Sequence, residues 1–221
     1  MLIFERQIHH LIVLILLLIG IKSFLTGRLL EGSFIKVETS IWALLAIITP
    51  ILHQVYVWFV WRLELHYSLI TKWLGKKAFN IYAMGFAILF ASRLLFVIAL
   101  AISNKNSIHF NPAISIIISV LLLIPSLYLF YSVKSYFGFK RAFGIDHFDS
   151  SYSKLPFVRK GIFRFTDNAM YVYGFFIIWI PGILFHSGAA ILAALFNHVY
   201  IWVHYYCTEL PDIRRIYKHS G

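Results

Sequence analysis

Near the end of the chain, His198, Trp202, Tyr205, Glu209 and Asp212 recur at intervals of three and four residues within and just beyond an apolar run. If the run is an α-helix with His198 at 0°, the other four fall at about 40°, 340°, 20° and 320°. His204 lies about 240° round, on another face. A stripe of imidazole, indole, phenol and carboxylate suits a cationic, hydrogen-bonding ligand, because aromatic faces and carboxylates both attract positive charge. The plain alternative is a helix packed by its aromatic face, with Glu209 solvated at a boundary. Pro211 is placed to break the helix before Asp212. A second group, Asp146-His147, sits in a polar loop. An imidazole beside a carboxylate is a proton acceptor if the loop folds over a site.

The elements that must position these groups are apolar. The chain is 60% hydrophobic and 13% charged, whereas soluble domains carry about a quarter of charged residues. Six apolar runs occur near 8–26, 40–61, 79–102, 113–136, 169–185 and 188–208, and about 20 residues cross the hydrocarbon core as a helix. The expected fold is all-α: a polytopic helical membrane protein of about six transmembrane helices, one domain over residues 1–221. The last two runs meet at the turn His186-Ser187-Gly188, so they form an antiparallel C-terminal hairpin carrying the ligand site. The first run lacks a small-residue cleavage site after it and reads as a retained span.

The net charge of +11 does not indicate nucleic acid, because fifteen of the 20 Lys and Arg fall in alternate loops. That asymmetry puts both termini in the cytosol. The remaining basic charge suits an anionic lipid surface. Cys207 is the single cysteine, which excludes an internal disulfide and gives a metal no partner thiol; no metal site is expected.

Several polar residues interrupt the apolar runs. His9 and His10 read as interfacial anchors, and Tyr56, Trp58, Phe59 and Trp61 as an aromatic belt. His53 is either a packed, hydrogen-bonded histidine or a cavity-lining one. Arg93 must face the bundle interior or snorkel, with a partner on a neighbouring helix or a lipid phosphate. The segment from Phe137 to Asn168 is the longest polar stretch, with Gly144 placed for a sharp turn. A long loop of this kind is more often functional than idle.

The sequence Gly161-Ile-Phe-Arg-Phe-Thr-Asp-Asn-Ala-Met-Tyr171, followed by Gly174, resembles the motif of the membrane phospholipid and isoprenylcysteine methyltransferases. Asp167-Asn168-x-Met170-Tyr171 is similar to the phosphatidylethanolamine N-methyltransferase branch, which has Asp-Asn-Pro-Met-Tyr; the prenylcysteine branch has Arg-His-Pro-x-Tyr. The ending Glu209-Leu-Pro-Asp-Ile-Arg-Arg-Ile-Tyr217 resembles the family's Glu-Glu-Pro ending. Ala169 stands where the family has proline and Leu210 where it has a second glutamate. The resemblance is specific over the last third, within a family-like region of residues 137–217.

The resemblance implies S-adenosylmethionine as cofactor and a membrane lipid as substrate, with methyl transfer to a phosphatidylethanolamine-like headgroup amine at the cytosolic face. It implies Arg164, Asn168, Tyr171, Gly174, His198, Tyr205 and Glu209 at the cofactor. Asp167, Arg159 and Lys160 would then meet the headgroup, and His147 with Asp146 would take its proton. The membrane would be the bacterial inner membrane or the endoplasmic reticulum. Other acceptors stay open, a prenylcysteine carboxylate or a small thiol, as do a sterol-reductase-like NADPH enzyme and a non-enzymatic transporter or scaffold. Against transport, no span pairs acidic residues at its middle.

Overall fold

The computed structural model describes residues 2–217. Four long helices dominate: α1 (Gln7–Phe24), α2 (Thr39–Tyr67), α4 (Ala78–Ser103) and α5 (Pro112–Ser132). A short α3 (Leu69–Leu74) links α2 to α4, and a two-stranded hairpin, Ser33–Phe34 with Val37–Glu38, precedes α2. After α5 come a π-turn over Val133–Phe137, α6 (Phe139–Ala142) and short 3₁₀ turns. The C-terminal part contains α7 (Ala169–Val172), α8 (Ile180–Leu184), α9 (Gly188–His204) and α10 (Leu210–Ile216).

Four helical segments are long and apolar enough to cross a membrane: Leu2–Phe24, Thr39–Tyr67, Leu69–Ser103 and Pro112–Phe137. Their burial pattern is that of helices dissolved in lipid. The only buried residue of α1 is His10, and α5 buries Ser115, Ser119, Ser126 and Ser132 with a single Leu129. Isoleucines and leucines face outward along both helices. Apolar outside with polar inside is stable only where the surroundings are as apolar as leucine, and the protein is an integral membrane protein.

The fifth expected span is not one helix. Residues 169–184 divide into α7, a 3₁₀ segment over Gly174–Ile178, and α8 with Pro181 in its first turn. The turn after α8 is the expected one, with His186 at φ 50°. Ser187 caps α9, its Oγ accepting from Ala190 N at 3.2 Å, as serine does at helix starts. Asn104 ties this turn to the far end of the bundle, accepting from Ser187 Oγ and donating to Arg28 and Glu31 carbonyls.

α9 is the central element, packed on α1, α2, α4 and α8. Its Ala189, Ala190, Ala193 and Ala194 meet Ala43 and Ala46 of α2 in one buried cluster. Small side chains let membrane helices approach closely where no hydrophobic effect drives them together. At the opposite end from Asn104, the chain start, the end of α2, the loop after α5 and the last helix converge; Arg62 of α2 donates to Leu2 O at 2.8 Å.

Two expectations are corrected here. His10 is not an interfacial anchor, because it is buried and bonded to Tyr200 Oη at 2.8 Å. Trp61 is not part of an outward belt. It is buried and stacks on His147 with ring centroids 4.1 Å apart. Phe59, two residues before it, does face outward.

Candidate functional site

The converging end encloses a cavity of about 220 Å³ bounded by α2, α4, α5, the loop carrying Asp146 and His147, α7 and the last helix. Asp146, His147, Tyr171, Gly174 and Glu209 all line it. So do His53, for which cavity lining was one of two readings, and Arg93, together with Gln54, Trp61, His204 and Tyr217, which the sequence reading did not assign to the site. His53, Gln54, Trp61 and Arg93 come from α2 and α4, more than a hundred residues from Glu209 along the chain, which no local pattern reveals.

The wheel at 100° per residue put Glu209 with His198 and His204 apart. Instead α9 passes into a π-turn over Tyr205–Glu209. In such a turn the backbone bonds run from i to i+5, so residues five apart share a face. His204 and Glu209 therefore both look into the cavity. His198 and Tyr205 face the broken segment 169–184. His198 accepts from Trp179 Nε1 at 3.1 Å and its Nε2 donates to Tyr171 O at 2.9 Å. Tyr205 packs on the Tyr171 ring at 5.2 Å. These two hold Tyr171 rather than line the cavity. Asn168 precedes α7, half-buried, while Arg159, Lys160, Arg164 and Asp167 are exposed. Arg164 lies over the Phe165 ring, 4.7 Å from its centroid.

The loop is fixed by buried charge. Arg62 and Asp212 are both fully buried, with Nε 2.9 Å from Oδ1. Asp212 is thus held by α2 and does not extend the ligand stripe. His147 sits between two carboxylates, Nδ1 at 3.2 Å from Asp146 and Nε2 at 3.5 Å from Asp212. Burial opposes its imidazolium, but the hydrogen bonds to Asp146 and Asp212 outweigh burial and lift His147 to about 9. Asp146 is likewise acidic despite burial, because His147 and the Tyr217 hydroxyl bond to its carboxylate. Gly144, at φ 81°, makes the turn that brings His147 under Trp61; a side chain there would strike the indole.

Glu209 behaves oppositely. Burial, then the neighbouring charges of Asp146 and Asp212, push its carboxyl up to about 8, so a cation in the cavity would favour its ionised form.

Deeper in the cavity the polar groups lack partners. His53 Nε2, both amide atoms of Gln54 and His204 Nδ1 are buried without a hydrogen bond. Buried polar atoms are nearly always paired, and these converge on one cavity with their donors and acceptors free. Arg93 donates to Asn197 Oδ1 at 2.9 Å, the neighbouring-helix partner that was one of its two expected roles. Among the described residues, no group of three or more His, Cys, Asp or Glu is arranged to hold a metal ion.

No curated protein and no solved structure matches the chain. The family model described as phospholipid methyltransferase matches residues 114–220, and that segment is similar to the family.

Proposed function

We propose that the protein transfers a methyl group from S-adenosylmethionine to the headgroup amine of a phospholipid resembling phosphatidylethanolamine, at the cytosolic membrane face. The observation that carries this reading is the cavity itself. It is walled partly by the family-matched segment, His204 included, and partly by His53 and Gln54 of α2, and all three residues bring unpaired polar atoms to it. Those atoms fit the donors and acceptors that the cofactor's ribose, adenine and amino-acid ends require. Bound there, the cofactor supplies a methyl on a positively charged sulfur, open to in-line attack by an amine.

The chain's own residues would do the rest. Glu209 attracts the cationic centre and becomes ionised as it arrives. Trp61 and Tyr171 offer aromatic faces to the same charge. Holding acceptor and donor at near-attack distance supplies most of the rate. His147, kept protonated between Asp146 and Asp212, is a hydrogen-bond donor that fixes the loop over the cavity. The headgroup proton is then left to Glu209, which is ionised while the cationic centre is beside it and takes the proton up again once that positive charge is gone. Asn168, Gly174, His198 and Tyr205 shape the wall around Tyr171. Arg159, Lys160, Arg164 and Asp167 form the rim that meets the headgroup first.

The test is methylation of a lipid panel by purified protein with labelled S-adenosylmethionine. Labelling of prenylcysteine or thiols alone would reject the lipid-amine reading. Glu209→Gln should weaken cofactor affinity about ten- to a hundredfold, the worth of a charge-assisted hydrogen bond. Calorimetry finding unaltered affinity in the folded variant would remove Glu209 from the site. The broken hairpin of residues 169–208 would complete the six spans, with both termini cytosolic. A Ser150→Cys variant should then resist impermeant thiol reagents added outside intact cells, and strong labelling would overturn that topology.

A further inference from the structure

We propose that Arg93 binds the phosphate of a phospholipid whose headgroup lies in the cavity and whose acyl chain leaves the bundle between α4 and the Gly174–Ile178 segment. This deepens the proposed function and rests on it.

Arg93 is buried well inside α4. Its Nε donates to Asn197 Oδ1 at 2.9 Å and Nη2 to Asn197 O at 3.4 Å, while Nη1 is 3.5 Å from His53 Nδ1. The Phe175 ring lies beneath it, 4.9 Å to the centroid. Every one of these partners is neutral. Among the described residues the ion pairs involve Arg62, His147 and Arg215, and no carboxylate pairs with Arg93. A guanidinium does not shed its charge, and an unmatched charge at membrane depth is costly and characteristically serves a function. N–H groups on both terminal nitrogens remain for an anion, in the fork that suits a phosphate.

The surroundings identify the anion's source. A second recess of about 250 Å³ is lined by Phe90, Ala91, Leu94, Phe130, Ile177 and Ile178. Arg93, Gly174 and Phe175 belong to both spaces. Phe90 and Phe130, also shared, are 39% and 37% exposed on the outer, lipid-facing surface. One fixed cation therefore stands where a polar cavity meets an apolar recess that opens sideways. A phospholipid carries its groups in that order: amine, phosphodiester, acyl chain. The carboxylate of S-adenosylmethionine is also an anion, but it has no apolar tail to fill the recess.

The experiment uses the full-length protein in detergent, with three measurements. These are the KM for dioleoyl phosphatidylethanolamine, retention of that lipid by native mass spectrometry, and S-adenosylmethionine affinity by calorimetry. Arg93→Gln should raise the KM and weaken retention by about tenfold or more, with cofactor affinity unchanged. Ala91→Phe fills the recess from an exposed position, leaves the tie to Asn197 intact, and should weaken retention likewise. A long-chain amine without phosphate should bind wild type and Arg93→Gln equally. Undiminished lipid retention in Ala91→Phe would overturn the proposal, as would loss of cofactor affinity in Arg93→Gln, which would mark a carboxylate site. Wild type that retains the lipid in an Arg93-dependent way but methylates none would refute the proposed function and leave this site standing.

Discussion

The two ends of the cavity treat charge in opposite ways. At the loop end Arg62 is matched by Asp212 and Glu5, and His147 by Asp146 and Asp212, although most of these groups are buried. At the deep end Arg93, His53 and His204 have neutral partners or unpaired atoms. A network of ion pairs rigidifies what it joins, here the loop, α2 and α10, even though His147 Nε2 and Asp212 Oδ1 have no hydrogen bond. An unsaturated one keeps capacity for a ligand. The contrast separates residues whose charges are matched within the protein from residues whose polar atoms are left without a charged partner.

The sharpest way to break the comparison is to remove one charge at each end. Asp212→Asn should destabilise the protein by about 3–5 kcal/mol, because it strands the buried Arg62. Arg93→Gln should lower the melting temperature by less, since no carboxylate is stranded. Equal losses would erase the distinction.

The pH dependence is next in size. His147 is raised above its ordinary 6.5 to about 9, so the folded protein keeps a proton that the unfolded chain releases. Its stabilisation is complete below pH 6.5 and is lost as pH rises through 9, by up to about 1.4 kcal/mol per pH unit. Glu209, raised to about 8, adds to the fall over the lower part of that window. Thermal denaturation across pH 6–10 should show the decline, and His147→Asn should flatten it; an unaltered slope would detach His147 from the network.

The smallest effect belongs to the rim. Asp167 is exposed, and exposed charges are worth at most about 1 kcal/mol. Asp167→Arg should raise the KM for phosphatidylethanolamine up to about fivefold at low salt, with cofactor affinity unaltered. The effect should vanish as salt shortens the screening length below about 10 Å. A salt-independent effect as large as that of Arg93→Gln would place Asp167 inside the site.

What was legible from the sequence follows how far each feature depends on neighbours in the chain. The membrane class follows from composition, since so few charges cannot cover a soluble surface. The Gly161–Gly174 motif, the sharp turn at Gly144 and the tight turn before α9 are local, set by backbone preferences and caps that adjacent residues decide. Asp146, His147, Tyr171, Gly174 and Glu209 were named from local spacing and motif, and all five line the cavity.

The remainder was decided in three dimensions. A helical wheel assumes one period, and the π-turn at Tyr205–Glu209 changes it, so His204 exchanges faces with the stripe and Glu209 leaves His198. Trp61 and His10 have the composition of interfacial residues, yet each is buried because a partner, His147 or Tyr200, arrives from far along the chain. His147 likewise depends on Asp212, sixty-five residues on, and Arg93 on Asn197. Apolar periodicity specifies which helices form. Which buried polar groups meet depends on how those helices are rotated against one another, and only the packed bundle determines that.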